Sequence, residues 1–79
     1  MLLNFLLSTL IITSNDCVEF LNKHVCVGLP DFKGDGFFFY YGILLEITEK
    51  DLKLKLNNGI KIAPIDQIVE IRLTEKGRQ

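Results

Sequence analysis

The run FFFYYGILLEI, residues 37–47, combines aromatic and β-branched side chains with a glycine in its middle. Such a composition is typical of a β-strand, and Gly42 indicates a place where the strand bends or another backbone approaches it. The next run, LKLKL at residues 52–56, alternates leucine with lysine as a strand with one buried face does. Together the two runs predict the centre of an antiparallel sheet, joined by a polar turn over residues 48–51.

Shorter patterns on both sides extend this sheet to five strands. Residues 25–29, 60–63 and 68–73 are predicted as the other strands. The loop 30–36, the turn 57–59 and a break at 64–67 lie between the strands and are rich in turn-forming residues. A short helix is expected to begin at Asp16, which caps it while Glu19 reaches back, and to run to about Lys23.

The alternation assigns the side chains of the central strands to two faces. A three-residue loop over residues 57–59 places Leu56 opposite Ile60 and Lys55 opposite Lys61. A four-residue turn over residues 48–51 places Leu45 opposite Leu54 and Glu46 opposite Lys53. The inner face is then predicted to hold Phe37, Phe39, Tyr41, Ile43, Leu45, Ile47, Leu52, Leu54, Leu56, Ile60 and Ile62.

The outer face is predicted to carry the residues from which a function would come. Lys53, Lys55 and Lys61 form a cluster there, either as solvated lysines that guard the sheet edge or as contacts to phosphate groups. Phe38, Tyr40 and Leu44 share that face. They are candidates for a subunit or partner contact, for cover by the N-terminal segment, or for base-stacking platforms.

Composition excludes several classes of protein. The chain has 79 residues, of which 48% are apolar and 24% charged, so it forms one domain and is not intrinsically disordered. Lys+Arg 9 against Asp+Glu 10 gives a net charge of −1, which excludes a strongly basic nucleic-acid clamp but not a local basic patch. Two cysteines without a Cys/His cluster exclude a disulfide-stapled scaffold and a structural zinc site. Both are expected to be buried thiols in a reducing compartment, the cytoplasm, with a disulfide or a redox role as the alternative.

The sequence offers little for catalysis. Its one histidine, His24, is expected at the end of the helix, where the sequence gives it no oriented partner for general-base work. The stretch Gly34-Asp35-Gly36 is interpreted as a tight turn, because it has too few ligands for a calcium loop. We therefore expect no enzyme, no cofactor and no metal.

Residues 1–13 form an apolar run with no charged side chain. The run is too short for a membrane span, and it lacks the preceding basic residues of a signal peptide. A buried segment, an interfacial membrane anchor and a cleaved targeting segment remain as alternatives. The chain is thus divided into an apolar N-terminal segment (1–15), a β-domain (16–73) and a polar tail (74–79) that is expected to fray.

Three segments resemble the motifs of the Sm-like family. Val25-Cys26-Val27, followed by Gly42 and Leu44, resembles the first Sm motif, and residues 52–56 resemble its third strand. The segment 62–71, which includes Asp66-Gln67-Ile68-Val69, resembles the second Sm motif. The resemblance covers about residues 16–73. It implies a mainly β protein: a small five-stranded Sm-like or SH3-like barrel with an N-terminal α-helix, in a family that forms rings and binds uridine-rich RNA.

The RNA pocket of that family is not carried over. Thr48-Glu49-Lys50-Asp51-Leu52 is one residue shorter than the family's segment and lacks its asparagine, and Pro64-Ile65 stands in place of Arg-Gly. We therefore expect a non-catalytic, homo-oligomeric module in the cytoplasm that associates with RNA through Lys53, Lys55 and Lys61. The alternative is a protein-interaction or assembly module without nucleic-acid binding, and membrane association is a third interpretation.

Overall fold

The computed structural model describes residues 12–78 and is mainly β. A short helix, Ser14–Cys17, and a 3₁₀ turn, Val18–Phe20, precede the first strand. The strands are β1 (His24–Pro30), β2 (Phe37–Ile47), β3 (Asp51–Leu56), β4 (Gly59–Pro64) and β5 (Glu70–Leu73). A 3₁₀ turn, Ile65–Gln67, separates β4 from β5, and a helical turn, Glu75–Arg78, follows β5. The five predicted strands are confirmed, while the predictions for residues 1–11 lie outside the described residues.

The five strands form one antiparallel sheet in the order β4-β3-β2-β1-β5. β1 pairs with β2 on one side and with β5 on the other, so the last strand returns beside the first. In the part of the chain that the structure describes, β4 and β5 are the two edges and do not pair with each other. The sheet is therefore open between these two strands.

A β-bulge in β2 reverses the predicted faces of most of that strand. Glu46 pairs with Lys53 as predicted, but Leu44 rather than Leu45 lies opposite Leu54. One extra residue in a strand moves every preceding side chain to the opposite face. Leu44 is consequently completely buried while Leu45 is 38% exposed, so the outward position predicted for Leu44 is wrong.

The turn between β3 and β4 contains two residues, 57 and 58, and not the predicted three. Gly59, with a φ of 144°, already belongs to β4 and pairs with Leu56. Lys55 therefore faces Ile60 and not a second lysine. The inward positions predicted for the isoleucines of β4 are wrong for the same reason.

The two changes of register determine which side chains form the core. The buried apolar residues are Cys17, Val25, Val27, Leu29, Leu44, Leu52, Leu54, Ala63, Ile65 and Ile68. The side chains that were predicted to be inside and are exposed instead are Phe37, Phe39, Tyr41, Ile43, Leu45, Ile60 and Ile62. The core face of the sheet is covered by the N-terminal turns and by the segment between β4 and β5.

Gly42 is buried at a place where the backbones of β2 and β3 lie close together. A Cβ atom at this position would overlap the backbone carbonyl of Lys55 and lie 2.9 Å from Leu56 Cδ2. A residue without a side chain is needed for such an approach, as the sequence predicted for this position.

Both ends of the described chain differ from the prediction. Thr13 caps the first helix, and its backbone N–H donates to the Asp16 carboxylate at 2.9 Å, so Asp16 is the third helical residue and not the cap. The predicted frayed tail instead contains the helical turn Glu75–Arg78, which packs against β1. A Cβ atom at Gly77 would overlap the carbonyl oxygen of His24, so this turn lies directly against the start of β1.

Candidate functional site

The structure separates the three lysines that the sequence groups together. Lys53 lies on the face away from the core, with its Nζ 3.7 Å from Oε1 of Glu46. Lys61 pairs with core residue Leu54 and therefore lies on the opposite face. Lys55 is on the same face as Lys53 but lines a cleft at the end of the sheet. The predicted pair of facing lysines is not formed.

The bulge places all three predicted interface residues on the core face. Leu44 is fully buried there and has no surface to offer a partner, and Tyr40 is partly buried against the core. Phe38 remains 55% exposed at the start of β2. A role for Phe38 and Tyr40 in a subunit or partner contact stays a prediction.

A cleft with four basic side chains lies where β3 ends and β1 begins. Ile43 of β2 pairs with His24 on one side and with Lys55 on the other, so the three strands meet at its base. The cleft has a volume of about 510 Å³. We call it the basic cleft; it is lined by Asn22, Lys23, His24, Gly42, Ile43, Lys55, Leu56, Asn57, Lys76 and Gly77.

Backbone hydrogen bonds fix one wall of the basic cleft. Asn22 has a φ of 67°, in the left-handed region, and its N–H donates to the carbonyl of Leu44 at 2.7 Å. The N–H of Leu44 in turn donates to the carbonyl of Lys23 at 3.0 Å. Because both bonds join the segment before β1 to β2, the backbone of Lys23 is held beside the middle of the sheet.

The C-terminal turn forms another wall. Nδ1 of His24 lies 2.6 Å from Oγ1 of Thr74, and the N–H of Thr74 donates to the His24 carbonyl at 3.2 Å. The N–H of Gly77 donates to the same Thr74 hydroxyl at 3.3 Å. These bonds bring Lys76 to the basic cleft.

His24 is the first residue of β1 and not, as predicted, the last residue of a helix.

Among residues 12–78, no acidic side chain lines the basic cleft. The ion pairs within residues 12–78 join Lys53 to Glu46 and Arg72 to Glu70, and neither involves a lysine of the cleft. Three lysines thus line one concave surface, and the described part of the chain provides no carboxylate there to balance them. A cleft lined by charges of one sign attracts ligands of the opposite sign, here anions.

A second and larger cleft, of about 900 Å³, has the opposite charge. It lies between the turn 48–51 and the 3₁₀ turn Ile65–Gln67, and it is lined by Glu49, Asp51 and Asp66 against one basic residue, Lys50. These are the segments in which the Sm-like resemblance places an RNA pocket. Three carboxylates would repel a phosphate group, so the charges favour the basic cleft as an anion site.

The sequence alone does not show that Lys23, His24 and Lys76 lie in one cleft. Lys23 precedes β1 and Lys76 follows β5, so they flank the strand-forming part of the chain on its two sides. The two strands are antiparallel neighbours, so the start of one lies beside the end of the other. Both strands are visible in the sequence, but their alternation does not say that they pair. Only a prediction that β1 pairs with β5 would have placed these three residues side by side.

The two cysteines are buried, as predicted. Burial, followed by the nearby Asp16 carboxylate, raises the pKa of the Cys17 thiol above its ordinary value of 9.0. The thiol is therefore protonated at neutral pH and is a poor nucleophile. Residues 12–78 contain no group of three His, Cys, Asp or Glu side chains placed to hold a metal ion.

Comparison with protein-family models, curated proteins and solved structures finds no match for this chain. Among the described residues, no helix combines the length and the apolar character needed to cross a membrane. The surfaces of the molecule itself are therefore the evidence for a function.

Proposed function

We propose that this chain is a non-catalytic, Sm-like binding module that associates with itself and binds single-stranded RNA in the basic cleft. The observation that carries the proposal is that Lys23, Lys55 and Lys76 line one cleft to which residues 12–78 contribute no carboxylate. Each ammonium group that neutralises a backbone phosphate releases condensed counterions, which gives affinity without sequence preference. The lysines come from three separate elements, which suits a strand passing along the cleft better than a single phosphate.

Other polar groups beside the lysines support RNA as the ligand. Asn22 and Asn57 carry amides that donate and accept hydrogen bonds, and His24 adds an imidazole. Such groups suit base edges and the ribose 2′-hydroxyl, through which proteins distinguish RNA from DNA.

The order of elements supports the Sm-like part of the proposal. A short helix precedes five antiparallel strands, and a 3₁₀ turn separates the last two, as in the pattern from which the resemblance was inferred. We propose that the sheet curls around its core as a small barrel, with Gly42 permitting the bend. The two buried free thiols are compatible with a reducing compartment such as the cytoplasm.

Replacing Lys23, Lys55 and Lys76 together with alanine tests the RNA site. We expect the variant to bind a fluorescently labelled single-stranded oligoribonucleotide about tenfold or more weakly, because three phosphate contacts are lost. The slope of log affinity against log salt concentration should become shallower by about 2, since about 0.7 counterions are released per contact with a single strand. Fluorescence anisotropy at several salt concentrations measures both quantities.

A matched control removes the same charge elsewhere. Lys33, Lys50 and Lys53 lie outside the basic cleft, so their joint replacement with alanine should leave most of the affinity and the salt slope unchanged. An equal loss in the two variants would mean that the attraction is diffuse and that the cleft is no site. No binding by the unaltered chain would reject RNA as the ligand.

A second candidate function is assembly with another protein chain and no nucleic acid. It is favoured by the exposed apolar side chains of β2 and β4, which RNA binding in the basic cleft does not explain. A chain that forms an oligomer but does not retain the oligoribonucleotide would support this function over the first.

A further inference from the structure

The face of the sheet away from the core carries a row of large exposed apolar side chains. The bulge in β2 and the two-residue turn before β4 are what turn these side chains outward. Each is between 38% and 57% exposed. We call this surface the apolar face, which consists of Phe37, Phe39, Tyr41, Ile43, Leu45, Ile60 and Ile62.

The apolar face is large enough for a protein interface. A large aromatic side chain has about 150 to 250 Å² of surface, so seven side chains that are half exposed present roughly 600 Å². The largest apolar patch on a typical monomer is about 300 to 600 Å², and it is often functional. A specific interface buries about 800 Å² per partner, of which the apolar face supplies most.

The charges on this side of the sheet are of both signs. Four of them form two ion pairs, and Lys55, which lies between Ile43 and Ile60, has no ion-pair partner among residues 12–78. Lys53 lies beside Glu46, and Nε of Arg72 lies 2.7 Å from Oε2 of Glu70 on the neighbouring part of the sheet. Paired charges of both signs do not repel a copy of themselves, and the net charge of −1 adds little repulsion.

We infer that the apolar face is the contact between two copies of this chain, packed sheet against sheet. In such an isologous contact the same patch is used by both copies. Two sheet faces pack about 10 Å apart, so the outward side chains, including Ile60 and Ile62 of β4, are covered while the backbone hydrogen-bonding edges of β4 and β5 stay free. The inference rests on the homo-oligomeric part of the proposed function. Because Ile43 belongs to both the apolar face and the basic cleft, self-association is tested without RNA.

The paired substitutions Tyr41→Lys and Ile62→Lys test the inference. Both side chains are about half exposed, so the folded chain should tolerate lysine at these positions. In a sheet-to-sheet contact the new charges would be buried without partners, which separates the copies. Light scattering on the full chain without RNA should give a multiple of 9.0 kDa for the unaltered protein and 9.0 kDa for the variant. Circular dichroism confirms that the variant is folded.

Two further variants complete the test. Phe32→Lys introduces a lysine at an exposed aromatic residue of a loop, outside the apolar face. This variant should keep the molecular mass of the unaltered protein. A variant with Tyr41→Glu and Ile62→Glu should also be monomeric, but mixing it with the lysine variant should restore association, because opposite charges then meet across the contact.

Two results would overturn the inference. One rejects only the sheet-to-sheet contact, and the other rejects self-association as well. Lysine variants that keep the unaltered mass would place the contact elsewhere, such as on the edge strands, and would leave self-association standing. An unaltered chain of 9.0 kDa at all concentrations would reject self-association as well. In both cases the anisotropy test of RNA binding would still be decided separately.

Discussion

Asn22 links the backbone of the chain to the proposed site. Its φ of 67° is tolerated by asparagine and glycine but is costly for a β-branched residue. The conformation turns the chain from the 3₁₀ turn Val18–Phe20 into β1, and the bond from its N–H to Leu44 holds that turn against β2. The position of Lys23 in the basic cleft therefore depends on the residue before it.

Replacing Asn22 with valine is expected to lower the free energy of unfolding by about 1 to 2 kcal/mol, because the left-handed conformation then carries a Cβ penalty. Asn22→Gly should stay within about 0.5 kcal/mol of the unaltered protein, since glycine adopts this conformation freely. Urea denaturation measures both variants. Equal stability of the valine and glycine variants would contradict the left-handed turn.

Lys61 illustrates how the face on which a residue lies decides its role. The sequence places it beside Lys55 in a cluster, but in the structure its Nζ lies 4.8 Å from the centroid of the Tyr40 ring. The ring face attracts the ammonium group, which is therefore engaged within the chain. Of the three lysines predicted for RNA, Lys55 is the one that we expect to contribute to binding in the basic cleft.

At the scale of the element, the strands were predictable from the sequence but their faces were not. The run FFFYYGILLEI is apolar at both odd and even positions, so its alternation does not show which side chains are buried. A bulge between Leu44 and Glu46 then reverses the assignment, and no residue in the run signals it. Likewise, Asn57-Asn58-Gly59 suits a turn of two or three residues, and the choice between them changes the face of all of β4.

Alanine replacements at two adjacent positions of β2 test the bulge. Leu44→Ala should destabilise the protein by about 2 to 5 kcal/mol, because it leaves a cavity in the core. Leu45→Ala should cost less than about 1 kcal/mol, since that side chain is partly exposed. Urea unfolding of the two variants gives the comparison. The opposite ranking would restore the unbulged register that the sequence alone suggests.

At the scale of the whole molecule, the distribution of charge matters more than its sum. A net charge of −1 argues against nucleic-acid binding when it is read as a total. The structure places Glu49, Asp51 and Asp66 around one cleft and Lys23, Lys55 and Lys76 around the other. The two clefts lie towards opposite ends of β3, so one end of the sheet is acidic and the other basic.

The basic end of the sheet could not be predicted from the sequence, for a physical reason. It forms because β5 pairs with β1, which brings together residues far apart in the chain, such as the hydrogen-bonded His24 and Thr74, fifty positions apart. The alternation of side chains reports which face of a strand is buried and not which strand lies beside it. The lysines at the two ends of the chain therefore showed no sign of being neighbours.

The most direct test of the account is an NMR titration of the full chain with a single-stranded oligoribonucleotide. We predict that the backbone amide chemical shifts around the basic cleft change and reach saturation as RNA is added. The residues concerned are Asn22, Lys23, Ile43, Asn57 and Lys76. The amides of the turn 48–51 and of Ile65–Gln67, which line the acidic cleft, should stay unchanged. Shifts centred on those two turns, or no shifts at all, would contradict the proposed RNA site.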